Sequence, residues 1–325
     1  MNIGIISFAH IHALDYATVL QNMEDVNIAG IADDNEERGK KYAAQFGTIY
    51  YRDFHALLNT DIDAVLVTSE NSLHHQHVMA AAKAGKHILC EKPLGVKKEE
   101  MEEMIKVCEN HHVILETAFP VRFNVPIKQV KDFIDQGQLG KILAIKGTNR
   151  GTNPGDWFVD KEKSGGGAVL DHTVHVVDIM RWYTGAEVKE VYAEIGTSMF
   201  SEVPIDDSGI LTMEFDNGMF ATLDCSWSRN KCYPTWGDVT LEIIGTNGTV
   251  KVDAFDQKIT LYSNQDGTKW IGWGDDMNAG LLKDFVDSVK HGKSPLVSGF
   301  DGMKAAEVAL AAYQSFRDKR PIKIG

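Results

Sequence analysis

The feature that most limits what this chain can become is an alternation filling its first third, where short apolar runs are separated by amphipathic stretches of helical period. Asn2 to Phe8, Val26 to Ala32, Ala64 to Thr68, His87 to Cys90 and Val113 to Glu116 read as strands. Leu14 to Asn22, Asn35 to Phe46, His74 to Ala84 and Lys98 to Asn110 read as helices, and Gly47 and Gly85 serve as helix stops. Strands joined through helices run parallel, so the pattern predicts a doubly wound α/β sheet covered on both faces.

After about residue 120 the period changes. Pro126 to Gln136 reads as a helix, and then strands of period two follow: Ile142 to Arg150, Glu190 to Thr197, Ser208 to Phe215, Met219 to Ser226, Asp238 to Gly245 and Thr249 to Ala254. Asp216-Asn217-Gly218 and Thr246-Asn247-Gly248 are hairpin turns between them. Leu281 to His291 and Gly302 to Arg317 close the chain as amphipathic helices. This half predicts an α+β domain on an open, mostly antiparallel sheet. With 325 residues, the chain exceeds one ordinary core. The expected domains are 1–120 and 121–325, with a C-terminal helix free to pack back on the first.

Composition narrows the partners. A net charge of -13 without any Lys/Arg cluster argues against nucleic acid. No apolar run reaches the roughly 18 residues of a membrane span. The first residues enter a strand directly, without the basic flank of a signal peptide, and the four cysteines (Cys90, Cys108, Cys225, Cys232) form no Cys-x-x-Cys pair. A cytoplasmic protein with reduced thiols is expected.

The turn after the first strand, Ser7-Phe8-Ala9-His10-Ile11-His12, is where a dinucleotide pyrophosphate would meet a helix N-terminus. The usual fingerprint has glycines at its first, third and sixth positions; here stand Ser7, Ala9 and His12. From this turn alone, a generic strand-to-helix connection and a phosphate site rank equally. Asp33, ending the second strand, stands where a carboxylate accepts both adenosine ribose hydroxyls, and no Arg follows it directly, which favours NAD over NADP. Asp34 or Asn35 caps the next helix.

Glu91-Lys92-Pro93 follows a strand at the end where such sheets work, and a lysine beside a nicotinamide can orient a substrate hydroxyl and share its proton. Gly165-Gly166-Gly167 admits a close ligand or chain, and in the helix beyond it Asp171 and His175 are four residues apart, an acid/base pair on one face. A solvated Asp/His pair is the bland alternative; Val169, Leu170, Val174 and Val177 argue for burial. The segment from Asp224 to Asp238 concentrates Trp227, Tyr233, Trp236 and Arg229, which suits a sugar-like ligand or, equally, a subunit interface.

With these strings in view, the chain resembles the Gfo/Idh/MocA family, named for glucose-fructose oxidoreductase and inositol dehydrogenase, over essentially its whole length. The carriers are Asp33, the run Val67 to His74, Glu91-Lys92-Pro93, and Gly165-Gly166-Gly167 with Asp171 and His175. The resemblance implies an N-terminal Rossmann domain and a C-terminal domain for substrate and oligomerisation, as a homodimer or homotetramer. It implies hydride transfer between NAD and a hydroxyl or carbonyl carbon of a sugar, polyol or cyclitol, catalysed by Lys92, Asp171 and His175. The expected cofactor contacts are Ser7, Phe8, Ala9, His10, His12, Asp33, Thr68, Ser69, Asn71, His74, Glu91 and Lys92. The expected substrate contacts are Lys92, Arg122, Trp157, His172 and Trp236. Departures from the family pattern are the glycine turn, Ser69 in place of the usual Pro, and Thr173 where Gly is common. Two other readings stand beside this one: a catalytically silent, ligand-binding regulator on the same fold, and a metal-dependent hydrolase suggested by His10 and His12. No metal is expected.

Overall fold

The computed structural model describes residues 1–200, 203–265 and 267–325. The chain divides into two compact units. The first comprises Met1–Pro120, Glu162–Ser164 and Asn278–Met303; the second comprises Val121–Lys161, Gly165–Met277 and Lys304–Gly325.

In the first unit, β1 (Asn2–Ile6), β2 (Asn27–Ala32), β3 (Tyr50–Tyr51), β4 (Ala64–Val67), β5 (His87–Cys90) and β6 (Leu115–Thr117) form a parallel sheet in the order β3-β2-β1-β4-β5-β6. That order belongs to the dinucleotide-binding doubly wound sheet, whose direction reverses between β1 and β4. Between the strands run α1 (His12–Gln21), α2 (Glu36–Phe46), α3 (Phe54–Leu58), α4 (His74–Lys83) and α5 (Lys98–Asn110). β1, β4 and β5 are buried on both sides, which explains why they read as unbroken apolar runs. Asn35 caps α2 by accepting the Arg38 amide, and Gly47 ends the helix in the left-handed region at φ 65°. Two elements escaped the sequence reading, β3 and α3, because a two-residue strand and a five-residue helix are shorter than any periodic signal.

In the second unit, α6 (Val125–Asp135) precedes β7 (Ile142–Thr148) and α8 (Ala168–Thr184); the short α7 (Lys161–Ser164) between β7 and α8 in the chain counts with the first unit from Glu162 on. Then follow β8 (Val188–Gly196), β9 (Ser208–Phe215), β10 (Phe220–Asp224), β11 (Thr240–Gly245), β12 (Thr249–Asp253), β13 (Lys258–Ser263) and β14 (Gly267–Gly272). The chain ends with α9 (Met277–His291), which counts with the first unit from Asn278 on, α10 (Gly299–Asp318), which counts with the second from Lys304 on, and β15 (Ile322–Lys323). Seven strands make one sheet in the order β12-β11-β7-β10-β9-β8-β15. It is mixed: β7 and β10 pair in parallel and every other neighbour antiparallel. β9 alternates buried and exposed residues along its length, so one face is packed and the other open. Both expected hairpin turns form, joining β9 to β10 and β11 to β12. The β13–β14 hairpin and β15 were not expected. Four successive residues of β13 are exposed, so the inward/outward signal that marks a packed strand is missing there.

The packed face of the sheet meets α8, nearly all of whose residues are buried. Its N-terminus explains two of the three glycines, Gly166 and Gly167. The Asp206 carboxylate accepts the Gly167 amide at 2.9 Å and the Val169 amide at 2.8 Å, and the Asp206 carbonyl accepts the Ala168 amide at 3.0 Å. The Tyr313 hydroxyl accepts the Leu170 amide at 3.2 Å and donates to Asp206. The amides that a helix leaves unsatisfied are thus claimed by the chain itself, so this N-terminus is closed to an anion. A Cβ on Gly166 would lie 2.4 Å from the Tyr313 hydroxyl, and one on Gly167 would lie 1.9 Å from the Asp206 carbonyl oxygen. Of the two expected occupants, chain rather than ligand makes the close approach.

Gly167→Ala is expected to cost about 3 kcal/mol or more of unfolding free energy, because backbone on both sides must shift. Gly218→Ala, at φ 83° but with open space around it, is expected to cost only about 1 kcal/mol. Urea denaturation of both variants checks this; equal losses would contradict the packing account.

Candidate functional site

The first unit gathers the expected cofactor residues at the carboxyl edge of its sheet. Ser7, at the first fingerprint position, has φ 72°, the left-handed conformation for which glycine is ordinarily used, at a cost of roughly 1–2 kcal/mol. Neighbouring contacts hold it there: its amide donates to the Ala32 carbonyl at 2.7 Å, and its carbonyl accepts the Thr68 hydroxyl at 2.6 Å. The Ser7 hydroxyl accepts the Ala9 amide at 3.1 Å, and the His10 amide donates to the Thr68 carbonyl at 3.0 Å. The turn keeps the glycine-type backbone without the glycine. Phe8 sends its ring into the interior, stacked on Tyr42 at 4.3 Å.

Asp33 follows β2, and its carboxylate is covered. It accepts the Phe8 amide at 2.8 Å, tying the two strand ends together. It is also gripped by Arg38, with Nε and Nη2 each 2.8 Å from a carboxylate oxygen. The sequence reading looked for an arginine directly after Asp33; this one reaches it from the first turn of α2, five residues on. A cavity of about 220 Å³ beside Asp33 is walled by Ser7, Arg52, Ser69, Glu70 and His77, a space suited to the adenosine end of a dinucleotide.

Glu91 is buried beneath the turn. His12 Nδ1 lies 3.0 Å from one of its carboxylate oxygens, and His10 Nε2 lies 3.6 Å from the other. Burial pushes the Glu91 carboxyl up, but His10 and then His12 outweigh it and hold the group well below the usual carboxylate range. Ligand atoms of His10, His12 and Glu91 lie within 4.8 Å of one another, close enough to share a metal. The tautomer argues otherwise. His10 Nδ1 accepts the His12 amide at 3.2 Å, so a neutral His10 carries its proton on Nε2 and turns a donor, not a lone pair, toward Glu91. Metal-bound histidines use the opposite arrangement, with the remote nitrogen donating. His12 gives Nδ1–H to Glu91 from a partly exposed ring at the start of α1.

Lys92 is 4% exposed, and its amide donates to Glu91 Oε2 at 3.0 Å. The Lys92–Pro93 peptide is cis. His74 is buried with Nδ1 2.9 Å from the Pro93 carbonyl and Nε2 3.2 Å from the Ser69 carbonyl. It therefore braces two turns, and its bearing on a cofactor runs through them. Asn71 donates to the Ser164 carbonyl at 2.9 Å. Ser69 pairs its hydroxyl with His77 Nδ1 at 2.9 Å.

The second unit holds the expected acid/base residues on α8. Asp171 Oδ2 lies 3.2 Å from His172 Nε2 and accepts the Trp227 indole N–H at 3.3 Å. His172 meets Trp236 edge-on at 5.2 Å, and Gly151 makes room for the pair, since a Cβ there would lie 2.8 Å from the imidazole. His175, one turn further along, is 6% exposed. Arg122 is buried and bidentate on Asp178, at 2.7 and 2.6 Å, so it clamps α8 from outside. Trp157 is 4% exposed and stacked on Phe158 at 3.9 Å. Trp236 joins Phe255, Trp270 and Trp273 around a cavity of about 420 Å³ that also presents Lys258 and Asp275. Trp270 and Trp273 were missed because the β13–β14 hairpin was.

Two family models match the chain: the oxidoreductase family with NAD-binding Rossmann fold over residues 1–119, and the GFO/IDH/MocA C-terminal domain over residues 127–251. Myo-inositol 2-dehydrogenase of Thermotoga maritima is 30% identical, over 100% of this chain and 98% of its own length. This chain belongs to the Gfo/Idh/MocA oxidoreductases. A second similar protein, scyllo-inositol 2-dehydrogenase (NAD(+)) of Bacillus subtilis, is 27% identical over 99% of this chain and 95% of its own. The crystal structure of a probable dehydrogenase from Thermotoga maritima superposes with a TM-score of 0.86 at 30% identity, covering 99% of this chain and 98% of that one. The chain is thus an oxidoreductase with an NAD-binding Rossmann fold. Among the described residues no helix is long and apolar enough to cross a membrane.

Burial, reinforced by the neighbouring His74, lowers the His77 pKa from the ordinary 6.5 to about 4. Protonation therefore favours the unfolded chain. The stability this group supplies is complete above pH 6.5 and drains away as the pH falls toward 4. Between pH 7 and 4.5 the enzyme is expected to lose about 2 kcal/mol through His77. Denaturant midpoints of His77→Gln should fall less steeply over that range; parallel curves for the two proteins would contradict the assignment.

Proposed function

We propose that the enzyme interconverts a secondary alcohol and a ketone on a polyol, cyclitol or sugar, with NAD held by the first unit. The observation that carries this is the convergence of the Ser7 turn, the buried Asp33 carboxylate and Glu91-Lys92 at one edge of a parallel sheet whose order matches the dinucleotide-binding fold. The residues fit the cofactor: Asp33 and the adjacent cavity suit adenosine, and the α1 N-terminus with His12 suits the pyrophosphate. Thr68, Ser69, Asn71 and His74 shape the neighbouring turns.

When bound, the nicotinamide supplies the hydride acceptor or donor. The protein's own part is the proton. His175 takes it from the substrate hydroxyl during oxidation and returns it during reduction, with Asp171, one turn earlier on α8, supplying the negative charge that favours the imidazolium. Lys92 donates a hydrogen bond to the reacting oxygen and orients it. Arg122 acts through Asp178 as a positioning residue for the helix. Trp236, His172 and Trp157 select the substrate; the aromatic cavity, with Lys258 and Asp275, suits a polyhydroxylated molecule whose C–H faces stack while its hydroxyls bond.

The open face of the seven-stranded sheet exposes Ile210, Phe220 and Ile244. This supports a homodimer or homotetramer built through that face, and a cytoplasmic location accords with three buried, unoxidised cysteines.

A scan of polyols and sugars with NAD, read by the absorbance of reduced nicotinamide, should find turnover that Lys92→Ala and His175→Ala each lower by roughly 100-fold or more while NADH binding persists. Binding without turnover on any substrate would favour the regulatory reading. Turnover unchanged in both variants would refute the assigned roles.

A further inference from the structure

Arg38 carries a consequence that Asp33 alone does not. A carboxylate offers about four lone-pair positions. At Asp33 all four are taken: Oδ2 accepts the Phe8 amide and Arg38 Nε, each at 2.8 Å, and Oδ1 accepts the Asn35 amide at 2.9 Å and Arg38 Nη2 at 2.8 Å. The two amides belong to the backbone and stay. The two guanidinium bonds come from a side chain that is a quarter exposed, and they leave the Asp33 side chain fully covered. Ribose hydroxyls can reach this carboxylate only if Arg38 lets go.

We propose that Arg38 is a latch over the ribose-binding carboxylate and sets the choice between NAD and its 2'-phosphorylated form. This rests on the reading that the first unit binds a nicotinamide dinucleotide. With NAD, Arg38 must surrender a bidentate ion pair before the hydroxyls bond to Asp33. With a 2'-phosphate, Arg38 keeps Asp33 neutralised through Nε and Nη2 and offers its remaining nitrogen, Nη1, to the phosphate. Its Nη2 already lies 3.4 Å from Ser7 Oγ and 3.4 Å from Asp34 Oδ1, so the group spans the turn beside the ribose position. Arg52 lines the same cavity and adds a second positive charge. An unpaired Asp33 would repel the phosphate strongly; a neutralised one does not. The enzyme therefore discriminates weakly between the two cofactors, where the lone carboxylate would exclude one.

The test is fluorescence titration of full-length enzyme with NADH and with NADPH, for the native protein and for Arg38→Ala and Arg38→Lys. Native affinities within about tenfold of each other are expected, with NADPH binding the more weakened by added salt. Arg38→Ala should shift the affinity ratio toward NADH by about tenfold or more, through tighter NADH, weaker NADPH or both. Arg38→Lys, keeping the charge but not the fork, should fall between. Equal weakening of both cofactors would assign Arg38 to the shared adenine moiety and overturn the latch, as would an unchanged ratio or a shift toward NADPH. A native protein that binds neither nucleotide overturns the underlying cofactor reading as well.

Discussion

Two buried carboxylates, Asp33 and Glu91, stand at the carboxyl edge of one parallel sheet, and the rest of the first unit is arranged so that neither is left uncompensated. A lone carboxylate taken out of water costs several kcal/mol, so each must be surrounded by donors or cations. Asp33 is answered by two amides and the Arg38 guanidinium, Glu91 by two imidazoles and the Lys92 amide. Their partners include the strand-to-helix turn from Ser7 to His12, which is thereby fixed from both sides. The strained φ at Ser7 persists because this network over-determines the turn.

In the second unit the same problem appears as unsatisfied helix amides, and Asp206 with Tyr313 solves it. Their grip fixes the start of α8, while Arg122 on Asp178 fixes it nearly two turns beyond Asp171. Asp171, His172 and His175 lie between these two clamps. A residue used for proton transfer gains from a rigid support, because a loosely held imidazole spends little time in reacting geometry.

Much of this was legible in the sequence. β1, β4 and β5 announced themselves because burial on both faces leaves their inner positions apolar, and the antiparallel strands because one face is wet. Asp33, Lys92, Asp171 and His175 could be picked out because each sits at a fixed offset from a strand end or a glycine run. The contacts that hold these residues in place could not. Asp206 meets Gly167 from 39 residues away and Tyr313 from 107, and nothing in either local sequence marks the partner. Arg38 was near enough to suspect, yet only the path of α2 turns its side chain back onto Asp33. Ser7 stands where the fingerprint has glycine, and the backbone there is a glycine-type turn held by neighbouring hydrogen bonds.

The proposed activity requires a nicotinamide dinucleotide at the edge of the first sheet, with Asp33 as its anchor. Equilibrium titration of the full-length enzyme with NADH, alongside Asp33→Ala, tests this most directly. Saturable binding of one NADH per chain, weakened by about tenfold or more in the variant, is the expected result. Absence of saturable binding to the native protein, or binding indifferent to Asp33, would contradict it.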